Sequence, residues 1–214
     1  VHWDRDASTG ALTNIVTLVD TTNLKKAKSV TVSPDGKNVY AVASDSKSIV
    51  HWNRDASTGA LTNQVVETDA INLNGARSVT LSPDGKNVYA VAHLSKSIVH
   101  WDREASTGAL TNKVVLIDAT NLDGAFGVTL SPDGQNVYAV ASTSDSIVHW
   151  DRDASTGALT NQVALIDDTN LNGVMGVAVS PDGNNVYAVA FASKSIVYWD
   201  RDASTGALTN IVAL

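Results

Sequence analysis

Three observations predict an all-β fold, a β-propeller of four-stranded antiparallel blades. A 49-residue unit repeats along the chain, each unit holds four β-rich runs, and short turn signals separate the runs. The string V-H-W-D-R-D-A-S-T-G-A-L-T-N begins at Val1 and returns, with small changes, at Val50, Val99, Val148 and Val197. Residues 50–98 and 99–147 differ at 13 of 49 positions, so every unit must build the same local structure.

The second unit shows the elements in order. S-V-T-L at 78–81 is a short β-rich run, followed by S-P-D-G at 82–85. There proline fixes φ and glycine supplies the positive φ of a tight turn. V-Y-A-V-A at 88–92 is the second strand and S-I-V-H-W at 97–101 the third; the latter is closed by A-S-T-G at 105–108. The fourth strand is A-L-T-N-K-V-V-L-I at 109–117. Strands two and three are apolar at alternate positions on both faces, so both faces must be covered. The fourth mixes in Thr, Asn, Gln and Lys, as an outer edge strand does. That gradient fits a radial blade sandwiched between neighbours. A β-solenoid is the competing architecture, but its coils are usually shorter and its turns less hairpin-like.

In this order the chain reads as a half blade of two outer strands (1–18) and four complete blades (19–67, 68–116, 117–165 and 166–214). Four and a half blades leave apolar faces and a strand edge open, which a soluble monomer rarely tolerates. Self-association, or further blades outside this stretch, is therefore expected to complete the ring. The chain also opens at Val1 in mid-motif, compatible with a leader or further repeats upstream.

Composition narrows function. No apolar run approaches the roughly 20 residues of a membrane-spanning helix. There is no cysteine, hence no disulfide and no thiolate zinc site. A net charge of −7 with dispersed Lys and Arg argues against nucleic acid, whose binding rests on clustered cations. The one basic cluster, Lys25, Lys26 and Lys28, reads as a solvated loop. No Asn-X-Ser/Thr triplet occurs, so N-glycosylation is not implied.

The runs G-A-R-S-V-T-L-S-P-D-G-K-N-V-Y at 75–89, S-I-V-H-W-D-R at 97–103 and T-G-A-L at 107–110 resemble the repeat of lactonase-type, or YVTN, β-propellers. The resemblance runs through every unit. It implies seven blades with the first strand innermost. It also implies a family that includes phosphogluconolactonase-like and carboxymuconate-cyclase-like enzymes beside many bacterial surface or secreted proteins. A secreted or cell-surface location is what it suggests for this chain.

Regular side chains read as packing. His2, His51, His100 and His149 share one position, filled by Tyr198 in the last copy; on separate blades, about 10 Å apart, they cannot share a metal. Trp3, Trp52, Trp101, Trp150 and Trp199, and Tyr40, Tyr89, Tyr138 and Tyr187, read as inter-blade packing. The D-R-D-A-S-T-G segment at 151–157 loosely suggests a calcium loop, but its glycine falls one place late; an Asx or Ser/Thr turn is the plainer reading. No metal or cofactor is expected, since no nucleophile elbow, HExxH, Walker or dinucleotide motif is present.

The copies disagree at two places. Before the innermost strand they read Lys28, Arg77, Phe126 and Met175; after the second strand they read Ser44-Asp45, His93-Leu94, Ser142-Thr143 and Phe191-Ala192. In a propeller meander both loops lie on one rim. The opposite turns barely vary. Lys28, Arg77, Phe126, Met175, Asp45, His93, Thr143 and Phe191 are therefore the expected ligand-recognition residues. Lys28, Arg77 and His93 form the best trio for lactone chemistry, but it lacks a carboxylate. The reading preferred from sequence is a non-catalytic binding or scaffold module holding a glycan or a protein. The alternatives are a lactonase- or cyclase-like hydrolase and a structural surface repeat protein.

Overall fold

The computed structural model describes the backbone of residues 1–214 and every side chain except that of His2; the expectation placed on His2 thus lies outside the described residues. A hairpin of β1 (His2–Arg5) and β2 (Leu12–Val16) comes first. Four antiparallel sheets follow, each a simple meander. The first holds β3 (Ala27–Val32), β4 (Asn38–Ala43), β5 (Ser48–Arg54) and β6 (Leu61–Thr68). The second holds β7 (Ala76–Leu81), β8 (Asn87–Ala92), β9 (Ser97–Arg103) and β10 (Leu110–Ile117). The third holds β11 (Ala125–Leu130), β12 (Asn136–Ala141), β13 (Ser146–Arg152) and β14 (Leu159–Ile166). The fourth holds β15 (Val174–Val179), β16 (Asn185–Ala190), β17 (Ser195–Arg201) and β18 (Leu208–Ala213). The innermost strands β3, β7, β11 and β15 pack on one another in that order, which makes the sheets blades of an all-β propeller arc.

Turn chemistry closes each blade. In the β7–β8 turn the Ser82 hydroxyl accepts the Asn87 N–H at 3.0 Å, and Gly85 takes φ +69°. In the β13–β14 turn Asp153 Oδ1 accepts the Ser155 and Thr156 N–H groups at 2.7 and 3.0 Å. The segment considered for calcium is therefore an Asx turn whose carboxylate is engaged by its own backbone. No group of metal-binding side chains is found among the described residues.

The core lies between blades. Tyr40, Val42 and Ile49 of the first blade pack with Val79, Leu81, Val88, Val99 and Trp101 of the second, and the same set recurs at the next two junctions. Histidine packs as expected from sequence: His51, His100 and His149 are buried, with ring centroids 5.6 to 5.8 Å from Tyr40, Tyr89 and Tyr138.

A guanidinium latch joins successive blades. Arg152, on the third blade, reaches back into the second, where its Nε donates to the Tyr89 hydroxyl at 3.0 Å and its Nη2 to both Asp84 oxygens at 3.1 and 3.0 Å. Nη2 also reaches Asn87 Oδ1 at 2.6 Å, while Nη1 holds the Gly134 carbonyl of its own blade at 2.9 Å. Tyr89 in turn donates to the Gly157 carbonyl at 2.8 Å. Arg103 and Arg201 repeat the arrangement with Tyr40 and Asp35, and with Tyr138 and Asp133. The D-R-D string thus supplies the clasp of the fold.

Candidate functional site

The two variable segments of each blade are zipped together by backbone. In the first blade Ser44 and Asp45 donate N–H bonds to the Lys26 and Lys25 carbonyls at 3.1 and 3.2 Å. In the second, His93 and Leu94 donate to Gly75 and Asn74 at 3.0 and 3.1 Å. The Gly75 N–H reaches the Ser44 carbonyl at 3.4 Å, linking the two blades along this rim. An added Cβ at Gly75 would lie 3.0 Å from the Leu94 backbone nitrogen, so glycine permits this close approach.

A cavity of about 470 Å³ opens on that rim between the first two blades. Lys25, Lys26, Lys28, Lys47, Arg77 and His93 are among the side chains that line it. Five of the chain's 15 Lys and Arg residues face one cavity in a protein of net charge −7, a concentration that attracts anions. Asp45 is the acidic residue of the lining and pairs with Lys26 at 3.2 Å. The three lysines read from sequence as a solvated loop are exposed, but they converge on this cavity with Lys47 and Arg77.

Arg77 and His93 sit deeper. The Arg77 guanidinium carbon lies 4.9 Å from the centroid of the Phe126 ring on the third blade, a cation–π stack that fixes its plane. Its Nε is buried without a protein hydrogen-bond partner, as is Nδ1 of His93. Burial, and then the Arg77 charge, hold the His93 imidazole below its ordinary pKa, against a smaller opposing effect of Asp123. His93 is thereby a neutral imidazole near neutral pH, able to accept a proton.

Of the eight residues singled out by copy-to-copy variation, Lys28, Asp45, Arg77 and His93 line this cavity, and Phe126 joins them through Arg77. Thr143 lies on the third blade's rim, its N–H bound to the Asp123 carbonyl at 3.1 Å. Met175 and Phe191 stand on the fourth blade, with 39% and 77% of their surfaces exposed. Variation did not flag Lys47, because its equivalents in the second and fourth copies, Lys96 and Lys194, make lysine look like part of the common scaffold. Asp145 in the third copy was the available signal that this position varies.

The fold defines a propeller arc whose cation-lined rim holds a neutral histidine. The chain belongs to the lactonase, seven-bladed β-propeller family, whose model matches residues 22–213. No curated protein matches it. Among solved structures it is similar to the periplasmic gluconolactonase of Pseudomonas aeruginosa, at 20% identity and a TM-score of 0.82 over 99% of this chain and 62% of that one. It is also similar to a candidate 6-phosphogluconolactonase from Bacteroides uniformis, at 20% identity and TM-score 0.78, covering 99% of this chain and 67% of that one. A Lactobacillus plantarum protein shares 21% identity at TM-score 0.80, over 97% and 62% of the two chains. The chain thus spans about two thirds of the length of these proteins. At such identities they show the fold. Together with the family, the names of the first two overturn the expectation of a non-catalytic binding or scaffold module and point to an enzyme.

Proposed function

We propose that this chain carries the substrate-binding rim of a lactone hydrolase acting on an anionic sugar lactone. The observation that carries this reading is the cavity in which a neutral His93 stands beside Arg77 amid four lysines. Lys25, Lys26, Lys28 and Lys47 hold the anionic substituent, such as a phosphate, as mobile point charges. Arg77, its plane set by Phe126, faces the negative charge that develops on the lactone carbonyl oxygen. His93 takes a proton from a water whose oxygen attacks the carbonyl carbon. The ring C–O bond then breaks, its electron pair stays on the leaving oxygen, and the imidazolium returns the proton there. The products are a hydroxy acid as its carboxylate and one released proton, so no cofactor is consumed.

The test is proton release from D-glucono-1,5-lactone and its 6-phosphate, measured above spontaneous hydrolysis. The phosphorylated lactone is expected to turn over with the lower KM. His93→Gln is expected to lower kcat by about 10²- to 10⁴-fold, the usual contribution of a general base. Lys28→Ala should raise KM for the phosphate ester with little change for the neutral lactone. Hydrolysis no faster than the spontaneous rate would overturn the reading. The secreted or surface location suggested by the family resemblance agrees with the periplasmic setting of the Pseudomonas protein; fractionation of the source cells checks it.

A further inference from the structure

Two grooves of the same make lie on the outer edge of the arc, toward the rim opposite the cation-lined cavity. One, of about 330 Å³, runs between the second and third blades. His100, Asp102, Asn112 and Val114 line one side of it and Thr156 and Leu159 the other. The second, of about 290 Å³, runs between the third and fourth blades and repeats those six residues 49 positions on, as His149, Asp151, Asn161, Val163, Thr205 and Leu208. Both walls of each groove are blades of this chain, and both junctions are internal to the arc. The histidines are the buried members. His100 is 2% and His149 4% exposed, yet neither ring nitrogen of His100 and not Nδ1 of His149 has a hydrogen-bond partner. Buried polar atoms are paired in the great majority of cases. Atoms left open at one equivalent position in two blades therefore point to a ligand that supplies the partner.

We infer that these two grooves bind neutral sugar units of a polysaccharide, one unit in each. The chemistry of the walls selects this ligand. A neutral imidazole offers one donor and one acceptor, the pair that a hydroxyl group matches. Burial holds His100 and His149 below their ordinary pKa, against the pull of Asp102 and Asp151, so both are neutral near pH 7. Bulges in β10 and β14 set Asn112 and Asn161 at φ +50° and +51° and re-aim their side chains. Each amide then donates to the neighbouring aspartate, Asp102 or Asp151, at 2.7 Å. Asn87 and Asn136 donate to the same two carboxylates at 3.0 and 3.1 Å. This edge is rich in hydrogen-bonding groups and repels anions. Beside it Val114 and Val163 keep 44% and 46% of their surfaces exposed. A pyranose has the same division, hydroxyls around its edge and an apolar C–H face. The first junction departs from the pattern, with Asn53 in place of the aspartate, so two sites are expected. Neither groove shares a residue with the cavity assigned to lactone chemistry.

The experiment is isothermal titration of the 214-residue chain with methyl glucoside, methyl mannoside and methyl galactoside, and with the glucan, mannan and galactan built from the same sugars. One of these sugars is expected to bind at two equivalent sites per chain, matching the two grooves. Its polymer should bind about 10²-fold more tightly, since two linked contacts act together. His100→Phe and His149→Phe keep an aromatic ring against Tyr89 and Tyr138, as Tyr198 does against Tyr187 in the fourth blade, but remove both nitrogens. Each alone should leave one site and lower the polymer's affinity about 10²-fold. Together they should abolish binding, with the rate of lactone hydrolysis unchanged. Asn112→Gly with Asn161→Gly, exposed positions where glycine suits the positive φ, should weaken binding without touching the buried rings. No binding across the panel overturns the inference. So does a stoichiometry other than two, or binding that survives both pairs of substitutions, which would place the sugar at the cation-lined cavity.

Discussion

Replacing Arg152 by alanine removes the clasp between the second and third blades. The lost side chain is 1% exposed and makes bonds to Tyr89, Asp84, Asn87 and Gly134. Breaking a buried ion pair by deleting one partner costs about 3 to 5 kcal/mol, because the other charge is left without compensation. Asp84 is 32% exposed, so water recovers part of its solvation and the low end, about 3 kcal/mol, is expected. An internal control exists. Arg54 holds the same place in the first blade but donates only to the Gly36 carbonyl, at 3.1 Å, and losing one such bond costs about 1 kcal/mol. Urea unfolding followed by tryptophan fluorescence should therefore place Arg152→Ala about 2 kcal/mol below Arg54→Ala at equal m-value. Arg152→Lys should recover little, since an ammonium cannot reproduce the fork. Equal losses for the two alanine variants would refute the assignment of the clasp.

Acid should weaken the fold in two stages. Burial lowers the pKa of His51, His100 and His149, so the unfolded chain takes up their protons first. Their contribution is complete above the unfolded value of about 6.5 and is lost as pH falls below it. Burial opposes ionisation of Asp35, but hydrogen bonds from Ser33 and Arg103 outweigh it and hold its pKa at about 2. Its contribution is present above the unfolded value of about 4 and drains away as pH falls toward 2. Urea midpoints between pH 8 and 3 check both stages, and His100→Tyr, which copies the fourth blade, should flatten the first. Gly157→Ala should destabilise by well over 1 kcal/mol, because a Cβ there collides with the Asn87 amide at a positive φ. Gly10→Ala, with the same φ but open space around it, should cost about 1 kcal/mol.

The blade was legible in the sequence because its signals are local: the S-P-D-G turn, the alternation of strands and the period itself. Strand bounds shifted by a residue or two, as with β7, which begins at Ala76 and not at Ser78. The latch was not legible. Arg152 and Asp84 are 68 residues apart, and within one unit the arginine of D-R-D looks like a solvated turn residue. Of the residues lining the candidate site, Lys28, Asp45, Arg77 and His93 were flagged by copy-to-copy disagreement. The lysine cluster at 25–28 was set aside because its convergence with Lys47 and Arg77 depends on how two blades meet. The preference for a scaffold over an enzyme failed for a related reason. Near-identical repeats suggest that no unique chemical group exists, yet one junction gathers residues that no other junction repeats.

The sameness of the latches also sets a folding problem. Arg103, Arg152 and Arg201 are chemically interchangeable, and so are the cradles that receive them. A guanidinium that skipped one unit and seated in the wrong cradle would find the same hydrogen bonds. Adding 49 residues to a 68-residue separation raises the loop-closure cost by only about half a kcal/mol. Affinity therefore cannot proofread blade order. That task falls to timing, because each unit leaves the ribosome with only its predecessor available to clasp. Refolding from denaturant, where all units compete at once, is where misthreaded arcs should accumulate.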